Sequence, residues 1–323
     1  MSIAISINLS ALGDTITAIP TINKISKAYN TKVTVFSNHP YLFKDHPSIE
    51  KSFGYDVSKE GYELFNIPFI KEEIINDVKI KFKHSHIDIR QFHALSLGFT
   101  LLPEEMETDL YIEEEWKTGF KDYVVIHPTN TWESRTWDKK KWQDLVYKLN
   151  DKNIPVIAIG KRSTEQGNRE VYDKTVMDID IPYGINLMDN PESTIGKIRG
   201  LLNSAKALIT MDSGILHVGG TTDVNIIQLG SSINPKLRAP YRKGSQDYKY
   251  FYVGGKCDLF CASNLKYNIK EHNSIQGVPP LANCLENKPL FECHSNVKDV
   301  VDAVISLPSK EKLLIIATHL STG

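Results

Sequence analysis

The sequence predicts an α/β protein made of two parallel, doubly wound domains. Three observations carry this expectation. Short apolar runs rich in β-branched residues alternate with segments of helical periodicity. The alternation comes in two series, separated by an acidic stretch, and polar loops containing glycine follow several of the apolar runs. Strand, helix and strand in quick succession is the signature of a parallel sheet, because parallel neighbours need a crossover.

In the first series, SIAISIN (Ser2 to Asn8) reads as a buried strand. The segment from Asp14 to Tyr29 reads as a helix, with Ile16, Ile19, Ile22 and Ile25 at helical spacing. Pro20 inside that pattern demands a kink or a late helix start. KVTVFS (Lys32 to Ser37) reads as the second strand. IEEEWKTGFKD (Ile112 to Asp122) is the expected linker. In the second series, YVVIHP (Tyr123 to Pro128) is a strand and Asp138 to Leu149 an amphipathic helix. IPVIAIG (Ile154 to Gly160), ALIT (Ala207 to Thr210) and VNIIQLG (Val224 to Gly230) are three further strands. Pro191 to Leu202 reads as a helix with Glu192 and Ser193 in its first turn. Cys257 to Cys293, rich in Asn, Pro and Gly, forms a long irregular segment. Asn296 to Leu307 closes the series as a helix whose apolar face holds Val297, Val300, Val301 and Val304. Ser309 to Gly323 packs as a last helix or strand, or frays. The expected domains are 1–115 and 116–307, followed by a tail, 308–323.

The 323 residues are enough for two domains, and 41% hydrophobic with 24% charged residues is the composition of a soluble globular protein. A formal net charge of −1 gives no global pull toward nucleic acid or an anionic membrane. No run approaches the roughly 20 apolar residues needed to cross a bilayer. No basic stretch followed by an apolar run opens the chain, so a cytoplasmic protein is expected. The four cysteines are Cys257, Cys261, Cys284 and Cys293. In a reducing compartment such a cluster points to a metal before a disulfide pair. Its spacing is none of the sharp zinc patterns, and small buried thiols account for it as well. No metal and no cofactor is assigned.

In open α/β sheets, ligands bind beyond the carboxyl ends of the strands. Three strand-end loops here carry unusual polar residues. The third, TMDSGILHVGG (Thr210 to Gly220), has the clearest physics. A strand ends, a tight turn holds Asp212, Ser213 and Gly214, and a helix begins, so backbone N–H groups and the helix dipole favour an anion there. Gly214 lets a phosphate approach closely, and His217 lies one turn further on. The alternative is that Asp212 or Ser213 merely caps the helix. The second loop, HPTNTWESRTW (His127 to Trp137), includes His127, Thr129 and Arg135. The Arg135 guanidinium suits a phosphate bidentately, whereas Lys139 to Lys141 read as a solvated first turn and Trp137 and Trp142 as packing residues. The first loop, SALGDT (Ser10 to Thr15), has no phosphate-binding pattern, and neither GxGxxG nor GxxxxGKS occurs in the chain. Asp14 is suited to act as a general base on a second substrate, or to cap the helix behind it.

Taken together, ALGDTITAIPTI, VVIHPTNTWESRTWDKKKWQDLVYKL and LITMDSGILHVGGTTDVNIIQLGSS resemble, in order and rough spacing, the motifs of glycosyltransferase family nine, the ADP-heptose:lipopolysaccharide heptosyltransferase-like proteins. The resemblance implies a GT-B fold of two Rossmann-like domains facing a cleft, with the 308–323 tail packing back on the first. It implies an inverting, metal-independent transfer from a nucleotide-diphosphate sugar to an acceptor hydroxyl. By position, Asp14 resembles the acceptor-activating base, with Gly13 and Thr15 beside it. Arg135 stands where the family has a basic phosphate ligand, usually Lys. Asp212, Ser213, Gly214 and His217 match the donor-binding loop, with His127 and Thr129 at the neighbouring strand end. A glycan or lipopolysaccharide-type acceptor is expected. The basic stretch KIKFKHSHIDIRQFH (Lys79 to His93), with His84, His86 and His93, reads as a solvated face or as contact with an anionic acceptor such as a phosphorylated glycan or modified DNA. A catalytically inert module that only binds a nucleotide sugar is the alternative outside the enzymes.

Overall fold

The computed structural model describes residues 2–9, 11–67, 87–129, 133–162, 177–242, 249–261, 284 and 292–308. Ser10, Trp132, His84, His86 and the 309–323 segment therefore lie outside the described residues. The chain divides into two compact units. The first comprises Met1–Glu114, Gly214–Thr221 and Lys236–Gln246; the second comprises Glu115–Ser213, Thr222–Pro235 and Asp247–Gly323. The change of unit at Glu114 falls inside the acidic stretch read as a linker, and two short pieces of the later sequence belong to the first unit.

The first unit is built on β1 (Ser2–Ile7), β2 (Val33–Ser37), β3 (Ile49–Gly54) and β4 (Tyr62–Ile67), all parallel, in the order β3-β2-β1-β4. Ala4, Ile5 and Ile7 of central β1 are fully buried, as a strand covered on both faces requires. The expected single helix after β1 is two, α1 (Leu12–Thr17) and α2 (Ile19–Ala28). They part at Ala18, and Pro20 sits in the first turn of α2, where a missing N–H has no partner to lose. Ile19, Ile22 and Ile25 bury the face the periodicity marked. β3 and β4 were not legible as strands. They are the edge strands, half-exposed, so their residues lack a continuous apolar run.

Helix α3 (Ile89–Ser96) starts at Asp88, whose carboxylate accepts from the Arg90 backbone N–H at 2.9 Å. Arg90 and His93 are buried, so the described end of the basic stretch is not a solvated face. Thr17 donates its hydroxyl to the Asp14 carbonyl at 2.9 Å, leaving the oxygen to accept from His93 Nε2 at 3.3 Å. That pattern fixes His93 as the neutral Nε2–H tautomer. Burial, with the charges of Arg238 and Arg90, lowers its pKa to about 3.

The second unit carries a six-stranded parallel sheet in the order β10-β9-β8-β5-β6-β7. Its strands are β5 (Val124–His127), β6 (Val156–Ala158), β7 (Gly184–Asn186), β8 (Ala207–Thr210), β9 (Asn225–Leu229) and β10 (Tyr250–Val253). Helix α4 (Lys139–Asn150) is capped by Asp138, which accepts from Lys140 N at 2.8 Å. Helix α5 (Ile195–Ser204) starts later than expected. The Thr194 hydroxyl caps it, accepting from Lys197 N, while the Asn190 side chain takes the Glu192 N–H and keeps the preceding residues in a turn. Glu192 and Ser193 thus precede the helix. Helix α6 (Gly214–Gly220) follows β8 but belongs to the first unit. Helix α7 (Val297–Ser306) buries Val300, Val301 and Val304 against α4 and the β9–β10 side of the sheet. Trp137 and Trp142 are packing residues, fully buried with rings perpendicular at 5.0 Å.

Trp142→Ala should remove about 3–5 kcal/mol of stability from this unit, read as a fall in the midpoint of urea unfolding. A second expectation concerns pH. His93, and His294 in the second unit, are buried with pKa values lowered to about 3 and about 4, so both are neutral in the fold. Below the ordinary histidine pKa the unfolded chain takes up protons that the folded one refuses. Stability should therefore fall as pH drops from about 6.5 toward 4, by up to about 1.4 kcal/mol per pH unit for each group. His93→Gln should make the fall of Tm between pH 7 and 4.5 shallower.

Candidate active site

The predicted site residues form two groups, one in each unit. In the first unit the turn after β1 places Asp14 within the first turn of α1. Ala11 occupies the N-cap position and no side chain caps the helix, so the cap reading of Asp14 is set aside. The carboxylate is free to face outward while its helix position remains favourable to negative charge. Gly13 is where α6 comes close: a Cβ there would lie 2.7 Å from His217 Cδ2 and 3.2 Å from the Gly214 Cα. A Cβ on Gly214 would in turn meet Leu12 Cβ at 3.2 Å and Gly13 N at 3.3 Å. Two facing glycines let the backbones touch, and His217 is thereby buried beside the turn that carries Asp14. The Thr15 hydroxyl is spent within α1, on the Ala11 carbonyl at 3.1 Å.

Asp14 meets one cation here that sequence reasoning missed. Arg238 Nη1 stands 3.5 Å from Asp14 Oδ1, with side chains 24% and 28% exposed. Its segment is held from two directions. Arg90 grips Asp88 through both carboxylate oxygens and donates to the Ala239 carbonyl at 2.7 Å. Arg242, buried, donates to the carbonyls of Gly219 and Gly220 at the end of α6. The Pro240 ring fills the space where a Gly220 side chain would be. The stretch PKLRAPYR has no periodicity, so only its three cations gave a signal.

In the second unit, β5 and β8 are neighbours in register, with His127 opposite Thr210. This pairing brings two of the predicted loops together. Thr210 Oγ1 lies 3.4 Å from His127 Nδ1 and 3.0 Å from Ser213 Oγ. Burial lowers the His127 pKa to about 4. Gly160, at φ +105, lets the β6 end pass close to that ring, since a Cβ would fall 2.8 Å from His127 Cδ2. Arg135, in a short 3-10 turn from Glu133 to Arg135, pairs with Asp212 at 2.9 Å, the side chains being 15% and 3% exposed. Asp212 is therefore a buried partner of Arg135. The Thr129 hydroxyl donates to the Lys161 carbonyl. Ser213 and Gly214 are consecutive, and the chain passes from the second unit into the first at that bond.

Residues 89–248 match the family model described as glycosyltransferase family 9 (heptosyltransferase). Sequence comparison with curated proteins gives no significant match. Among solved structures, TibC of enterotoxigenic E. coli H10407, described as a bacterial iron-containing dodecameric glycosyltransferase, superposes with a TM-score of 0.64 at 15% identity, covering 94% of this chain and 75% of TibC. A family 9 glycosyl transferase of Veillonella parvula DSM 2008 gives 0.62 at 15% identity, over 97% of each chain. The E. coli ADP-heptose LPS heptosyltransferase II gives 0.54 at 13% identity, over 79% of this chain and 90% of that one. At such identities these likenesses establish the fold alone, an α/β fold of the GT-B class. Over residues 89–248 the chain is thus similar to the heptosyltransferase-like glycosyltransferases of family 9.

Proposed function

We propose that this enzyme transfers a sugar, with inversion, from a nucleotide-diphosphate sugar to an acceptor hydroxyl, with Asp14 as the general base. The observation that carries the assignment is the use made of that carboxylate. It caps no helix, and its recorded partner is a half-exposed arginine at 3.5 Å. A carboxylate held this loosely can accept a proton from a hydroxyl that arrives beside it, because an exposed ion pair is worth at most about 1 kcal/mol. Arg238 sets its orientation in the resting enzyme.

The leaving diphosphate accumulates negative charge as an oxocarbenium-like sugar forms. Arg135 and Ser213 are the groups proposed to take that charge. Arg135 carries five N–H donors in a fixed planar fork, a geometry that suits phosphate oxygens. Asp212 holds the guanidinium in place and Thr210 does the same for the Ser213 hydroxyl. The step as written routes nothing through a metal. TibC has been solved with ADP-D-β-D-heptose, and an ADP-linked heptose is the donor we propose here. A glycan acceptor is favoured over nucleic acid, because Arg90 and His93 are buried and lend no charge to a surface. Among the described residues no helix is long and apolar enough to cross a membrane; a cytoplasmic location is proposed with the function.

Two variants test this. Asp14→Asn should bind donor as the wild type does, by calorimetry, yet transfer at least about a hundredfold more slowly; transfer at the wild-type rate would overturn the base assignment. Arg135→Ala should weaken donor binding at least about tenfold, and Arg135→Lys should lose less because the charge is kept but the fork is not.

A further inference from the structure

The Asp14 carboxylate has a loose partner in Arg238, so precision in its placement must come from the main chain beneath it. In an unbroken helix the Asp14 carbonyl would accept from the Ala18 N–H, four residues on. Helix α1 ends at Thr17, and Ala18 N turns to the Thr15 carbonyl at 3.3 Å. Side chains take over the Asp14 carbonyl. The Thr17 hydroxyl donates to it at 2.9 Å, and His93 Nε2 stands 3.3 Å from that hydroxyl oxygen. Burial is the chief cause that lowers the His93 pKa, while a hydrogen bond to the Asp14 carbonyl acts in the opposite sense. The ring thus reaches this carbonyl directly as well as through Thr17.

An imidazole is a poor choice here for stability. His93 is fully buried in α3, which packs on α1 and α2. Its Nδ1 has no hydrogen-bond partner among the described residues. A buried acceptor without a partner costs stability, and a leucine of similar size would fill the same space without that cost. What the surroundings use is the Nε2–H. Arg90, three residues earlier on α3, bonds to the Ala239 carbonyl next to Arg238 at 2.7 Å. One helix therefore reaches both the backbone of Asp14 and the segment that brings its cation.

We propose, resting on the assignment of Asp14 as the base, that His93 is a positioning residue for the same reaction. With Thr17 it holds the Asp14 carbonyl, and so fixes where the carboxylate stands when a hydroxyl arrives. The buried ring itself touches no substrate and exchanges no proton.

ADP release from ADP-D-β-D-heptose, with water as the acceptor, measures this without a chosen glycan. Water gives a proton to Asp14 and its oxygen to the anomeric carbon, the bond from that carbon to the diphosphate breaks, and ADP leaves. His93→Leu should lower kcat at least about tenfold, with donor KM within about twofold and Tm at pH 7 no lower than that of the wild type. His93→Gln, which keeps a donor near the Nε2 position, should hold kcat within about threefold. In the Asp14→Asn background, His93→Leu should change the remaining rate less than about twofold, because the group it positions is gone. Should His93→Leu misfold, Thr17→Val and Thr17→Ser carry the same test, the first slow and the second near the wild-type rate. A His93→Leu enzyme with wild-type kcat, whatever its Tm, overturns the positioning role. So does a loss of the same factor in the Asp14→Asn background. Asp14→Asn at the wild-type rate overturns the base assignment itself, a result that no His93 variant can mimic.

Discussion

The contact on which the setting of Asp14 depends is the meeting of Gly13 and Gly214. Cβ atoms at those positions would come within about 3 Å of the opposing chain, so side chains at either would force α1 and α6 apart. With hydrogen at both, α6 seats its His217 against the turn that carries Asp14. The return segment is then fixed to the far end of α6 by Arg242 and Pro240, and it delivers Arg238 to the Asp14 carboxylate. A short helix from the second half of the sequence is in this way built into the first unit. The cost is small, since glycine in an exposed helix loses only about 1 kcal/mol against alanine, and close packing offsets that.

The two arginine–aspartate pairs differ in what they can do. Arg135–Asp212 is mostly buried, so removing one partner of the pair is expected to cost roughly 3–5 kcal/mol. Such a pair sets geometry. Asp14–Arg238 is about a quarter exposed on each side and worth at most about 1 kcal/mol. A pair this weak can be replaced by a substrate hydroxyl at little cost. The strong pair belongs to the group proposed to hold charge, and the weak one to the group proposed to move a proton. That division follows from burial alone.

Much of this was legible in the sequence, for identifiable reasons. The central strands β1, β5, β8 and β9 are buried on both faces, so their apolar runs are continuous and were found within a residue or two. The edge strands β3 and β4 are half-exposed and their composition is mixed, so they were not. Helix starts failed where side chains compete for the backbone, as Asn190 and Thr194 do ahead of α5. Asp14, Gly13, Arg135 and Asp212 stand out in the sequence because each lies in a segment that follows the end of a strand. The sequence pattern could not show that Arg135 and Asp212 pair, since 77 positions separate them. Arg238 and Arg90 were illegible as site supports for the same reason: one lies in an aperiodic stretch, and the other lies in a run of charge that suggested solvent.

The loop around Arg135 raises the remaining physical question. Among its described residues the regular structure is one short 3-10 turn. An arginine proposed to meet a phosphate with fixed geometry cannot rely on such a loop unless its backbone is bonded elsewhere. The bonds come from residues 294 and 295, which arrive from an Asn- and Pro-rich stretch with no periodicity of its own. Helix α7, beginning directly after Ser295 with Asn296 as its cap, anchors the other side of the same short stretch. The order of the Arg135 loop therefore rests on bonds to residues 294 and 295, which the start of α7 anchors on their other side.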